Sequence, residues 1–187
     1  MEYKRLSIHL SYLLRHAPDS IGLQMDKHGW VDVQELIRRV NEAGKHRLTR
    51  QLLEQIVADD EKGRYRFSED GTRIKACQGH SIEWVEPELI CCARPRYLYH
   101  GTTRQALDGI RASGFISKMK RHAVHLQAQP EQAWRSAVRR RNQTPVLLKI
   151  DAEKMHADGF SFGVSDNQVW CTEKVPTAYI CEEIWSM

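Results

Sequence analysis

A short apolar strand that ends abruptly in a histidine, a glycine and a hydroxyl residue can grip a nucleotide, and Tyr97-Leu98-Tyr99-His100-Gly101-Thr102 has that form. Glycine lets a ligand approach the backbone. Histidine and threonine place donors and acceptors at the same point. The plain alternative is a strand-end turn, with Thr103 capping the helix that follows.

Four other clusters bear on the same chemistry. Leu13-Leu14-Arg15-His16 puts two proton-bearing groups at a helix C-terminus, with Ser11 one turn earlier on the Arg15 face. Taken alone, complementing the helix dipole is the simpler account of that placement. In Lys62-Gly63-Arg64-Tyr65-Arg66-Phe67, alternation sends Arg64 and Arg66 to one face and the two aromatic residues to the other. That face is either an anion site or a solvated charged surface. Cys77-Gln78-Gly79-His80-Ser81 gathers an amide, an imidazole and a hydroxyl around a flexible glycine, which suits an anion and also suits an ordinary loop. Lys118-Met119-Lys120-Arg121 leads into a strand carrying His125; a lone strand histidine is more often structural, while Arg121 in its dense basic run is harder to set aside. No Walker loop, G-x-G-x-x-G, metal-ligand spacing or nucleophile motif accompanies these groups. Arginine, histidine, hydroxyls and an amide bind and polarise phosphates, chemistry that needs positioning and charge more than a protein nucleophile.

The elements that must position these residues fall into two series. Leu6, Leu10, Leu13 and Leu14 predict an amphipathic helix over 4–16, which Pro18 discourages from continuing. Gly29-Trp30-Val31 leads into a helix with Val33, Leu36, Ile37 and Val40 inward, and Gly44 ends it. Leu48, Leu52, Leu53, Ile56 and Val57 predict a third helix. Strands over 64–67 and 72–76 flank the hairpin signal Asp70-Gly71. Three helices and a hairpin is the order of a winged-helix unit. Beyond the linker signals Glu86-Pro87 and Arg94-Pro95, strands are expected over 98–100, 124–126, 146–150, 169–172 and 179–184. Helices are expected over 103–113, 130–141 and 152–156.

Composition limits the classes. The chain has 187 residues, 41% of them hydrophobic, enough for one domain or two small lobes with packed cores. No apolar run approaches the roughly 18 residues of a membrane span. The charged N-terminal residues do not read as a signal peptide. Cys77, Cys91, Cys92, Cys171 and Cys181 form no C-x-x-C pair, which predicts reduced thiols in a cytoplasmic protein. Net charge is +4, with 14 basic against 15 acidic residues in 1–92 and 14 against 9 in 93–187. That is not a sweeping basic surface, so a phosphate ligand must be met by a focused cluster.

Taken in order, the motifs resemble the RNA 2′-phosphotransferase family, also called tRNA 2′-phosphotransferases. The resemblance runs through Ser11–His16, the D-x-x-G-W-V turn at Asp26–Val31, Lys62–Tyr65, Gln78–Ser81, Leu98–Thr102, Lys120–Leu126 and the N-x-V-W-x-T segment at Asn167–Thr172. It implies an α+β protein. An N-terminal winged-helix lobe over 1–92 would hold RNA, and an ADP-ribosyltransferase-like mixed α/β lobe over 93–187 would hold NAD+. It implies removal of an internal RNA 2′-phosphate with NAD+ consumed as co-substrate and no metal, by a monomer without membrane contact. The family's Arg-His-Arg-Arg tetrad falls on Arg15, His16, Arg64 and Arg121. The implied reaction has two steps, attack of the 2′-phosphate on the nicotinamide ribose carbon and then attack of the ribose 2″-hydroxyl on phosphorus. Arg15 and Arg64 would hold the 2′-phosphate bidentately, Arg121 would stabilise charge in the second step, and His16 would contact the phosphate or ribose or transfer a proton. Ser11, Gln78, His80 and Ser81 would complete the RNA side. His100, Gly101, Thr102, His125 and Val169 would line the NAD+ side, with Val169 where many protein-modifying transferases carry glutamate. Many relatives read R-x-H-V-H-L where this chain has Ala123 for the first histidine. His122 cannot substitute, because a one-residue shift along a strand changes face.

Three other readings have definite signatures. A winged-helix regulator with a ligand-sensing domain would carry a basic recognition helix, whereas residues 48–59 hold Arg50 against Glu54 and Asp59. A protein ADP-ribosyltransferase would need an acid near the late strands, and Glu173, Glu182 and Glu183 do not fall on the aligned position. A transferase leaving ADP-ribose on a terminal nucleic-acid phosphate needs only the first chemical step.

Overall fold

The computed structural model describes residues 2–86, 88–90, 92–139 and 142–187. Pro87 of the expected linker, Cys91, and Arg140 and Arg141 at the end of the expected 130–141 helix lie outside the described residues. The chain is a mixed α and β protein with small antiparallel sheets, and its contacts divide it into two units, Met1–Glu88 and Leu89–Met187.

In the first unit, helix α1 (Glu2–His16) buries Leu6, Leu10, Leu13 and Leu14. It stops before Pro18, which opens a single 3₁₀ turn over Pro18–Ile21. Helix α2 (Val33–Glu42) starts where the Asp32 carboxylate accepts the Glu35 N–H at 2.8 Å, and α3 (Arg50–Ala58) where the Thr49 hydroxyl accepts the Leu52 N–H at 3.2 Å. Strands β1 (Val31–Asp32), β2 (Tyr65–Phe67) and β3 (Arg73–Ala76) form one antiparallel sheet in the order β1-β3-β2. The hairpin turn between β2 and β3 is held by the Asp70 carboxylate, which accepts from Ser68 Oγ and from the Thr72 N–H and hydroxyl. The helices and the sheet close a single core from Leu6 to Ala76. The chain end of this unit is also fixed: the buried Lys75 ammonium lies 2.7 Å from a Glu88 carboxylate oxygen and 4.7 Å from the centre of the Trp30 ring.

In the second unit, β4 (Tyr97–Thr103) is followed by α4 (Arg104–Ser113), β5 (Phe115–Ser117), β6 (Val124–Leu126), α5 (Pro130–Ala137), β7 (Pro145–Asp151) and α6 (Ala152–Ala157). Next come β8 (Gly163–Val164), β9 (Trp170–Thr172), β10 (Lys174–Pro176), a 3₁₀ turn over Thr177–Tyr179 and β11 (Ile180–Ile184). The sheets run β11-β7-β4, β6-β9-β8 and β10-β5. Tyr99 and Gln127 exchange both backbone hydrogen bonds, at 2.8 and 2.9 Å, and so join β4 to the end of β6. Leu98, Leu126, Val146, Leu148 and Ile150 lead the core between them.

Helix α5 lies directly on β4. A Cβ built at Gly101 would stand 1.9 Å from the Ala133 carbonyl oxygen and 3.1 Å from the Ala137 nitrogen. Glycine is required here by the backbone of a neighbouring helix, a different reason from the close ligand approach expected from sequence. The strand start expected at Tyr179 is also revised, because residues 177–179 turn before β11 begins.

Candidate functional site

The first unit assembles its polar groups at the C-terminal end of α1. Arg15 and His16 occupy the last turn of the helix. The Ser81 N–H donates to the Arg15 carbonyl at 2.9 Å, and the Ser81 hydroxyl shares a 2.8 Å hydrogen bond with His16 Nδ1. The Gln78–Ser81 loop is thereby docked on carbonyl groups that a helix end leaves without partners of its own. Gly79, at φ 88°, faces the Arg15 side chain, whose Cζ and Nε would lie 3.8 Å from any Cβ there. Gln78 is half-buried beside it. His80 is only 1% exposed and packs beneath Gly29, where a Cβ would come within 2.9 Å of His80 Nε2. Gly29 in turn sits in a turn organised by Asp26, whose carboxylate accepts the N–H groups of His28 and Trp30, both at 2.9 Å. The D-x-x-G-W-V turn and the Q-G-H-S loop are therefore one packed structure.

Arg64 enters from the start of β2. The Asp60 carboxylate accepts from both its backbone N–H and its guanidinium. The Asp60 side chain is 3% exposed while that of Arg64 is 31% exposed. A buried carboxylate thus holds an arginine whose far end reaches solvent, and the pairing keeps the buried charge compensated. Next to it the Tyr65 hydroxyl donates to the Ser7 carbonyl at 2.6 Å and pins β2 to α1. Burial pushes the Tyr65 phenol upward from its ordinary pKa. Between α1 and the start of β2 lies a groove of about 400 Å³, lined by Ser11, His16 and Arg64 among others. Arg15, His80 and Ser81 support the helix end beside it.

The second unit brings His100, His125 and Arg121 together. His100 Nδ1 donates to the His125 carbonyl at 3.0 Å, so in the neutral ring Nε2 is the acceptor. The Arg121 guanidinium donates to His125 Nδ1 at 3.3 Å. Thr102, two residues along β4, points to the same side as His100 and is 6% exposed. His125 pairs with Cys171 across the β6–β9 ladder. Burial drives the Cys171 thiol up to about 12, so it stays protonated and inert.

Val169 precedes β9 and is 5% exposed. Its N–H donates to the Ser165 hydroxyl at 3.2 Å, and its carbonyl accepts the Ser165 N–H at 2.9 Å. Ser165 Oγ also donates to Asn167 Oδ1 at 2.8 Å. The N-x-V-W-x-T segment is thus a self-bonded turn, closed at its other end by Thr172 donating to the Ser161 carbonyl at 3.0 Å. Of the late acids, Glu182 pairs with Lys149 at 3.1 Å and Glu183 with Arg111 at 2.6 Å. Among the described residues, no group of three or more His, Cys, Asp or Glu is placed to hold a metal ion, and no helix is long and apolar enough to cross a membrane.

Sequence reasoning missed Asp60 and Ser165. Asp60 had one available signal, a carboxylate four residues before Arg64. That spacing ordinarily carries meaning only inside a helix, and here it spans a turn.

Residues 2–174 match the family described as RNA 2′-phosphotransferase, Tpt1 / KptA family. Among curated proteins, one from Burkholderia lata is 45% identical over 95% of this chain and 90% of its own length. One from Burkholderia pseudomallei is 46% identical over 94% and 93%, and one from Streptomyces coelicolor is 45% identical over 94% and 93%. All three bear the name "Probable RNA 2'-phosphotransferase". Among solved structures, protein CC0527 from Caulobacter crescentus aligns at 20% identity over 47% of this chain and 83% of its own, with a TM-score of 0.37, too loose a match to bear on the fold.

Proposed function

Because the chain belongs to the RNA 2′-phosphotransferase, Tpt1 / KptA family, we propose that it removes an internal 2′-phosphate from RNA, with NAD+ as the co-substrate. The observation that carries this reading is a groove lined both by His16 and by an Arg64 held by a buried carboxylate. Such a site presents a fixed guanidinium fork beside an imidazole, the arrangement a phosphate dianion needs.

The chemistry divides into two displacements. In the first, a 2′-phosphate oxygen attacks C1″ of the nicotinamide ribose. The glycosidic bond breaks and nicotinamide leaves as a neutral molecule, its pyridinium charge discharged by the bonding pair. In the second, the ribose 2″-hydroxyl attacks the phosphorus. The bond from phosphorus to the RNA 2′-oxygen breaks, and the hydroxyl proton ends on that oxygen. The products are 2′-hydroxyl RNA and ADP-ribose 1″,2″-cyclic phosphate. Arg15 and Arg64 bind the phosphate in both steps, and His16 contacts it or relays the proton. Arg121 stabilises the charge that builds on the phosphate in the second step.

The first unit serves as a winged-helix RNA lobe, with Ser11, Gln78, His80 and Ser81 on the substrate side. The second serves as an ADP-ribosyltransferase-like NAD+ lobe. His100, with Nδ1 committed to the His125 carbonyl, offers Nε2 as an acceptor suited to a ribose hydroxyl. Thr102, His125 and the Gly101 and Val169 backbones frame the same dinucleotide. The apolar Val169 fits an acceptor that is already anionic and needs no carboxylate base. The reading goes with a monomer in a reducing, cytoplasmic compartment, where Cys92 and Cys181 stay exposed as free thiols.

The test incubates the protein with NAD+ and an oligoribonucleotide carrying one internal 2′-phosphate, and analyses RNA and small-molecule products together. Loss of the phosphate with release of the cyclic ADP-ribose phosphate is expected. Absence of both would falsify the reading, and ADP-ribose left on the RNA as a final product would limit the enzyme to the first step. Arg121→Ala is expected to stall after that step and accumulate ADP-ribosylated RNA. Turnover like that of the unaltered protein would remove Arg121 from its role.

A further inference from the structure

One face of α1 carries a stripe that the core does not use. Lys4, Ile8, Tyr12 and His16 follow at four-residue intervals. On a helix that spacing aligns them in a row, roughly 6 Å per step along the axis. The leucines that enter the core lie on the other side, leaving Ile8 62% and Tyr12 52% exposed. All four residues line the groove that also contains Ser11 and Arg64. The Tyr12 ring lies beside the His16 ring, with centroids 6.0 Å apart and planes tilted by 47°.

We propose that this stripe is a nucleotide subsite: the base next to the 2′-phosphorylated residue stacks on Tyr12 and Ile8, and Lys4 meets a backbone phosphate further along the strand. The inference rests on the reading of the chain as an RNA 2′-phosphotransferase. Continuity argues for it, because His16 and Arg64, two of the groups assigned to the 2′-phosphate, line the same groove as Tyr12 and Ile8. Chemistry argues for it as well. An exposed aromatic ring flanked by an aliphatic side chain accepts any base face, and unstacked RNA is held in this way. Charge argues for the third element. Lys4 stands roughly 18 Å along the axis from His16, too far to share its phosphate and placed to meet another. A 2′-phosphate interrupting a strand is thus recognised together with its neighbour, independently of that neighbour's base identity.

The test measures binding by fluorescence anisotropy, without NAD+. The probes are an oligoribonucleotide with one internal 2′-phosphate and two versions made abasic on its 5′ or 3′ side. One abasic probe is expected to bind the unaltered protein roughly 5- to 100-fold more weakly, the span of one base–aromatic stack. Tyr12→Ala is expected to lose a similar factor on the intact probe and to bind intact and abasic probes alike, while Tyr12→Phe keeps the discrimination. If Tyr12→Ala binds the intact probe normally, or still discriminates against the abasic one, the subsite is overturned. Normal turnover by the unaltered protein in that case leaves the phosphotransferase reading standing. Failure of the unaltered protein both to bind and to turn over any probe overturns the two together.

Discussion

Asp60 bonds to both ends of the residue it serves, accepting from the backbone N–H of Arg64 and from its guanidinium. Removing the carboxylate charge leaves the arginine in place in the chain but loosens its side chain. Asp60→Asn is therefore expected to lower kcat/KM for the 2′-phosphorylated RNA roughly tenfold to a hundredfold, the penalty of misplacing a group by about an ångström. Steady-state kinetics alongside a melting curve checks this, and an unchanged kcat/KM would leave Asp60 a purely structural acid. At this scale sequence is informative about groups that are neighbours along the chain. Arg15 and His16 at a helix end, and Arg121 four residues before His125, are where local spacing puts them. It is silent about the groups that hold them. His80 owes its position to Gly29, 51 residues earlier, and no periodicity spans such a separation.

Elements of the fold were legible in proportion to their length. The leucine spacing of α1, the Asp70-Gly71 hairpin and the apolar runs of β4 and β7 each hold enough residues for a period to show. Strands β1, β5, β8 and β10 have two or three residues each and exist because a partner strand pairs with them; β2, β6 and β9 are as short and were legible only through a hairpin signal or an apolar run. The contact between α5 and β4 has the same character: a glycine in a strand announces a close approach without naming what approaches. Here it is a helix backbone, and there is no side-chain end that could swing aside. Gly101→Ala is expected to destabilise the protein by at least about 1–3 kcal/mol, as overpacking a rigid contact does. Urea unfolding checks it. A variant as stable as the parent would show that α5 can lift from the strand at no cost.

On the scale of the molecule, two cores form from residues that do not interleave in sequence, one from Leu6 to Ala76 and one from Leu98 to Val175. Each is built from its own helices and antiparallel strands. The fragment ending at Glu88 is accordingly expected to unfold cooperatively by itself, with circular dichroism showing a single sigmoidal transition in urea. A featureless, non-cooperative response would mean that the first core needs the rest of the chain. Charge and composition pointed to a focused site but could not locate it, because the acid–base balance of each half counts residues without regard to where they fold. The Arg121–His125 bond offers a vantage point of a different kind. The guanidinium donates to Nδ1 of that imidazole at 3.3 Å. An arginine drawn away to a phosphate takes the donor with it, and the nitrogen resonance of the ring shifts in response. On the proposed two-step reading, His125 would report spectroscopically on Arg121 leaving it for the phosphate, readable with isotope in the protein and no label on the RNA.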